Sequence, residues 1–185
     1  MGWSNLTGMG SHQSAKMMND EWLTPPALLR TLGIFDLDPC APVVRPWPTA
    51  HHHMTRDDDG LSQPWFGRVW CNPPYGRKAE VWLQKLAKHG NGIALIFART
   101  ETDMFFSQVW EKADAVFFLR GRLFFYSVEG KRAPHNSGAP SCLVAYGQNN
   151  VQALENSGLD GILVYLPHPL TSGGECVILP PVRDE

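Results

Sequence analysis

A chain of 185 residues of which 43% are hydrophobic is long enough to bury one substantial core and hardly long enough for two. A formal charge of -2 with a pI near 6.4 excludes a protein that coats nucleic acid through bulk positive charge, so any such contact falls to a local basic rim. No apolar run approaches the length of a membrane helix and no charged-then-apolar leader opens the chain, so a soluble, cytoplasmic protein is expected.

Residues 1–19 are rich in Gly, Ser, Asn and Met without periodicity and read as a flexible arm, ahead of a single domain over residues 20–185. Thr24 before Pro25 and Pro26 reads as a capped helix start, with Leu28, Leu29 and Leu32 as the apolar face and Gly33 as the stop. Ile34 to Asp38 is a strand ended by Asp38-Pro39-Cys40-Ala41-Pro42. Residues 43–67 form an irregular connection too long to be merely structural, which is expected to help line a site. Within it His51, His52 and His53 diverge in direction and have no second ligand cluster, so they read as a solvated loop and no metal is expected.

Arg68 to Cys71 is the next strand, which Asn72-Pro73-Pro74-Tyr75-Gly76 must leave at once because proline has no N–H for the ladder. Ala79, Trp82, Leu83, Leu86 and Ala87 follow at helical spacing, with Gly90 closing the helix. Ile93 to Ala98 is a strand, Phe106, Val109, Trp110 and Ala113 form a helical stripe, and Ala115 to Leu119 is a strand again. Leu123 to Tyr126, Ser141 to Tyr146 and Ile162 to Leu166 read as later strands, with a polar loop over residues 127–140. The alternation predicts an α/β fold with a mostly parallel central sheet, helices on both faces, and a ligand beyond the carboxyl ends of the strands. Cys40, Cys71, Cys142 and Cys176 are widely spaced, so reduced and mostly buried thiols are expected.

Asn72-Pro73-Pro74-Tyr75 offers chemistry suited to a planar amine. Such an amine delocalises its lone pair into the ring and must be oriented before it attacks an electrophile. The Asn72 side-chain oxygen and the Pro73 carbonyl can accept its two hydrogens, Pro74 stiffens the presentation, and Tyr75 can stack on a base rotated out of a duplex. A plain strand-ending turn is the other reading, since Asn and Pro are favoured turn residues.

The segments Asp20-Glu21-Trp22-Leu23-Thr24-Pro25-Pro26, Asp36-Leu37-Asp38-Pro39-Cys40-Ala41-Pro42, Asp59-Gly60-Leu61 and Trp70-Cys71-Asn72-Pro73-Pro74-Tyr75-Gly76 resemble, in this order, the phage-type DNA N6-adenine methyltransferase (Dam) family. Arg99-Thr100-Glu101-Thr102 and Gly121-Arg122-Leu123-Phe124-Phe125 are similar to its later segments. The resemblance implies a Rossmann-like methyltransferase fold, S-adenosyl-L-methionine as cofactor, DNA as substrate and a phage or prophage origin. It puts Asn72, Pro73, Pro74 and Tyr75 at the target base, and Trp22, Thr24, Pro25, Asp38, Pro39, Cys40 and Asp59 in the cofactor pocket. The sequence departs from the family where Cys40-Ala41-Pro42 stands in place of a glycine-rich cofactor loop.

Arg77, Lys78, Arg99 and Arg122 lie near the catalytic loop or predicted strand ends and make a candidate phosphate rim, while Phe125 is a candidate second aromatic for the flipped base. Trp65, Trp70, Trp82 and Trp110 read as packing residues. The loop alone is compatible with a methyltransferase acting on an RNA adenine or a protein glutamine, and the fold with a catalytically silent nucleic-acid-binding protein.

Overall fold

The structure is a computed structural model that describes residues 22–76 and 78–167. The arm expected at the N-terminus lies outside these residues. The element order is α1 (Pro26–Leu32), β1 (Leu37–Asp38), β2 (His52–His53), β3 (Val69–Cys71), α2 (Ala79–His89), β4 (Gly92–Phe97), α3 (Asp103–Phe105), β5 (Ala115–Leu119), β6 (Ser141–Tyr146), α4 (Gln148–Glu155) and β7 (Gly161–Tyr165). A π-helical turn over Phe106–Trp110 continues α3.

Among the described residues seven strands join one sheet in the order β2-β1-β3-β4-β6-β5-β7. The first four are parallel, whereas β4 with β6, β6 with β5, and β5 with β7 are antiparallel, so the sheet is mixed rather than mostly parallel. The cause is the connection between β5 and β6. Where a helix connects successive strands, as α2, α3 and α4 do, the strands run in the same direction; the helix-free stretch over residues 120–140 instead returns β6 between β4 and β5.

Strand alternation divides the core. Val69, Cys71, Ala94, Ile96 and Val144 pack against Leu83 and Leu86 of α2 and Phe105 of α3. Trp70, Ile93, Leu95, Leu143 and Ala145 pack on the other face against Leu28, Leu29 and Leu32 of α1 and Val151 and Leu154 of α4. Helices therefore cover both faces, as the alternation predicts. Among the described residues no helix is long and apolar enough to cross a membrane.

Several local expectations are corrected. Thr24 does not cap α1: its side chain is buried, the cap is Pro25, and no side-chain capping bond forms. The first strand is only Leu37–Asp38, with Ile34 72% exposed. His51 to His53 is not simply a solvated loop, because His52–His53 pairs in parallel with β1 as the sheet edge. Leu123 to Tyr126 makes no strand; Tyr126 forms isolated bridges to Leu23 and Arg132. The helix α4 was not anticipated, because its polar Gln148-Asn149-Asn150 start hides a short apolar stripe.

The α3 stripe also shifts. Phe105 is 0% exposed and Phe106 is 45% exposed, although the spacing pointed to Phe106. The π turn accounts for this, since its i to i+5 bond from Glu111 N–H to the Phe106 carbonyl adds a residue to the turn and changes which side chain precedes Val109 on the buried face.

Candidate active site

From β1 the chain passes to β2 on one side, and then returns to β3 on the other. Divergence of this kind opens a crevice at the carboxyl ends of the two central strands. A cavity of about 200 Å³ lies there, and its wall includes Thr24, Asp38, Cys40, Asp59, Asn72 and Tyr75.

Asn72 stands at the first position beyond β3. Its Nδ2 donates to the Trp22 carbonyl at 3.2 Å. A carbonyl only accepts, so this bond fixes the amide orientation and leaves Oδ1 as the free end. That oxygen is buried and has no hydrogen-bond partner among the described residues. Leu23, the neighbour of Trp22, is held by paired backbone bonds to Tyr126 at 2.9 and 3.1 Å, so the orientation of Asn72 is anchored through the bridge that replaced the expected strand.

Tyr75 stacks on Phe97 with ring centroids 4.3 Å apart and planes 6° from parallel, and Phe125 meets it nearly edge-on at 6.2 Å. Tyr75 lines the cavity and the two phenylalanines do not. Phe125 is buried and supports Tyr75 from behind, so the structure does not bring it to the cavity. The Tyr75 hydroxyl is also buried without a partner among the described residues, and burial pushes its pKa well up, so the phenol is neutral.

Asp38, at the end of β1, is 3% exposed. Burial raises its pKa to about 6, opposed by the Thr49 hydroxyl and the Cys40 N–H, which both donate to the carboxylate, and by the nearby charge of Arg45. Thr49 is a site residue the sequence reading missed, hidden in the long connection. His53 shapes that stretch: its Nε2 lies 3.2 and 3.3 Å from the backbone N–H groups of Thr49 and Ala50 and accepts from them. Burial, then the charges of Arg45 and His52, lower its pKa, in keeping with a neutral ring.

Asp59 reaches the cavity wall through an exposed turn with φ 49°, its carbonyl accepting from the Ser62 N–H and hydroxyl. Gly60 explains how the turn gets there. A Cβ at this position would lie 2.0 Å from the Pro39 carbonyl oxygen, so only glycine lets the 59–61 turn press against the segment that follows Asp38. Lys85 of α2 secures the turn by donating to the Leu61 carbonyl at 2.6 Å, and Trp65 Nε1 donates to Gly60 at 2.7 Å.

Cys40 and Cys71, 31 positions apart, come within 3.9 Å at the sulfurs. Sequence spacing alone concealed this pair. Both are free thiols, and the neighbouring Cys71 together with burial pushes Cys40 well up, so it is protonated.

Pro39 and Pro74 are in the cavity wall, whereas Pro25, the N-cap of α1, follows the lining residue Thr24 and is not itself part of that wall. The basic candidates are less concentrated. Lys78 is exposed at the start of α2, and Arg99 is exposed just past β4. Arg122 donates to the Ser137 and Gly138 carbonyls at 3.3 and 2.8 Å and ties the 121–138 loop together. Arg77 lies outside the described residues. Arg56, which the reading did not select, contributes to the cavity wall.

No curated protein and no solved structure matches the chain at a significant level. The family described as DNA N-6-adenine-methyltransferase (Dam) matches residues 11–155, which include every element from α1 to α4 and the whole cavity wall. The chain belongs to this family of DNA adenine methyltransferases.

Proposed function

We propose that this protein transfers a methyl group from S-adenosyl-L-methionine to the N6 amine of an adenine rotated out of a DNA strand. The observation that carries the reading is the Asn72 Oδ1 atom: buried, oriented by its own amide nitrogen, and without a partner among the described residues at the edge of a cavity. A buried acceptor left without a donor costs about 1–3 kcal/mol, and an amine hydrogen removes that cost. With the Pro73 carbonyl taking the second hydrogen, the nitrogen lone pair turns out of conjugation towards the methyl group. Tyr75, backed by Phe97, offers its other face to the base.

The walls of the cavity suit the cofactor. Asp38 is a buried carboxylate suited to an ammonium, and the close approach of Gly60 to Pro39, which brings Asp59 into the cavity wall, supports a polar contact from Asp59 to the adenosyl part. When bound, S-adenosyl-L-methionine supplies an electrophilic methyl on a good leaving group, so proton removal from the product amine is the only acid–base demand on the site. We read the sheet as a Rossmann-like methyltransferase sheet, with DNA phosphates meeting Arg77, Lys78, Arg99 and Arg122.

The test is incubation of unmethylated DNA with protein and S-adenosyl-L-methionine, digestion to nucleosides and mass spectrometry. N6-methyladenine is expected with the native chain, and Asn72→Ala should lower the rate by about 10²–10³-fold, the usual cost of removing one such hydrogen-bonding group. Absence of the modified base from single- and double-stranded DNA refutes the reading.

A further inference from the structure

Trp70 occupies the centre of β3 and packs its ring against Phe35, with centroids 5.4 Å apart, and against Leu28, Leu29 and Leu32 of α1. Packing explains the ring and leaves the nitrogen unexplained. The residue is 0% exposed, its indole N–H has no partner among the described residues, and it forms part of the cavity wall. Buried donors are almost always paired in a folded protein, so an unpaired one on a residue of the cavity wall calls for a partner.

Strand register identifies its neighbour. Leu37 of β1 lies opposite Val69 of β3, and both point into the core on the α2 side. Asp38 and Trp70, the next residues on these parallel strands, therefore share the opposite face, with their backbones roughly 5 Å apart in the strand-to-strand direction. Thr24, from the segment leading into α1, is buried in the same wall. A carboxylate beside a neutral N–H donor is the complement of an amino-acid zwitterion: the carboxylate takes an α-ammonium and the N–H takes an α-carboxylate. Asn72 lies two residues further along the chain, roughly 6–7 Å nearer the strand end, which separates this spot from the base-binding loop.

We propose that Trp70 is a cofactor-binding residue whose indole N–H holds the α-carboxylate of the methionine part of S-adenosyl-L-methionine, while Asp38 takes the adjacent α-ammonium. The proposal rests on the cofactor assignment made above and adds a contact at a residue whose sequence context indicates packing alone.

Calorimetry on the full chain separates the possibilities. S-adenosylhomocysteine carries the amino-acid end, and 5′-methylthioadenosine has the same nucleoside and thioether without it. The native protein should bind the former more tightly. Trp70→Phe, which keeps a ring and removes the donor, should weaken S-adenosylhomocysteine roughly tenfold to a hundredfold, the usual range for a charge-assisted bond, and should leave 5′-methylthioadenosine within about twofold, since that ligand has no group for the donor.

A second measurement needs no variant. In the native protein with labelled indole nitrogens, one of the seven tryptophan N–H resonances should move on adding S-adenosylhomocysteine and stay in place with its decarboxylated analogue. Equal weakening of both calorimetry ligands, an unchanged affinity for S-adenosylhomocysteine in Trp70→Phe, or an indole spectrum that does not distinguish the two analogues overturns the proposal. Failure of the native protein to bind any of these ligands overturns the cofactor assignment itself, a different result from a native protein that binds and a variant that binds equally.

Discussion

At the scale of single residues the site depends on polar groups held where water cannot reach them. Asp38 shows the consequence in its titration. Its folded pKa of about 6 lies above the ordinary 3.8 because burial disfavours the charge more than Thr49, Cys40 and Arg45 favour it. A raised carboxyl pKa stabilises the fold fully below the unfolded value and loses that contribution as pH rises through the folded value. Stability of the native chain relative to Asp38→Asn should therefore fall between pH 4 and pH 6 by about 3 kcal/mol and level off above. Urea unfolding of both proteins across this range is the check, and superimposable pH profiles would refute it. Cofactor affinity has the opposite sign: S-adenosylhomocysteine should bind more weakly below pH 6, where Asp38 is protonated and loses its attraction for an ammonium. Gly60→Ala tests a steric constraint, because its Cβ would overlap the Pro39 carbonyl and push Asp59 out of the wall. We expect about 1–3 kcal/mol of destabilisation in thermal unfolding, accompanied by loss of S-adenosylhomocysteine binding in calorimetry.

At the scale of elements, short strands are given precision by what flanks them. The short strands Leu37–Asp38 and Val69–Cys71 contribute Asp38 and Trp70 to the cavity wall, and each is pinned by Arg68, whose guanidinium donates to the Leu32 and Ile34 carbonyls and to Asn150 of α4. The Arg68 N–H in turn donates to Asp36, so the base of the crevice is tied below both strands. The π turn after α3 makes a sharper claim, because it exchanges which of two adjacent phenylalanines is inside. Phe105→Ala should cost about 3–5 kcal/mol and Phe106→Ala about 0.5 kcal/mol or less. Chemical denaturation of the two variants decides it, and a larger loss at Phe106 would mean that an unbroken α-helix is the true register. A simple 3.6-residue repeat could not reveal this, since the extra residue in the turn is selected by packing of Phe105 and Val109 against the sheet.

At the scale of the whole molecule, ligand and fold are linked because the cavity is shared by segments far apart in the chain, from Trp22 to Trp82. Binding to the folded chain alone stabilises it by about 2.7 kcal/mol at a hundredfold excess over Kd, which for a protein of this size raises Tm by about 5 to 10 °C. S-adenosylhomocysteine should produce this shift in a thermal scan, and an unchanged Tm at saturating ligand would count against a cofactor pocket in this cavity. The parts of this architecture legible in advance were local. Gly90 ending α2, the apolar runs of β4, β5 and β6, and the prolines that force the chain out of β3 act within a few residues, so the amino-acid order by itself determined them, along with the acceptor loop and the family resemblance. The antiparallel insertion of β6, the pairing of His52–His53 with β1, the approach of Cys40 to Cys71 and the contact of Thr49 with Asp38 were decided only by tertiary structure. Each joins residues whose separation in the chain carries no periodic signal. Their partners are chosen when the sheet closes and every buried polar group must find a donor or acceptor, or stay without one among the described residues, as the Asn72 Oδ1 and the Trp70 indole N–H do.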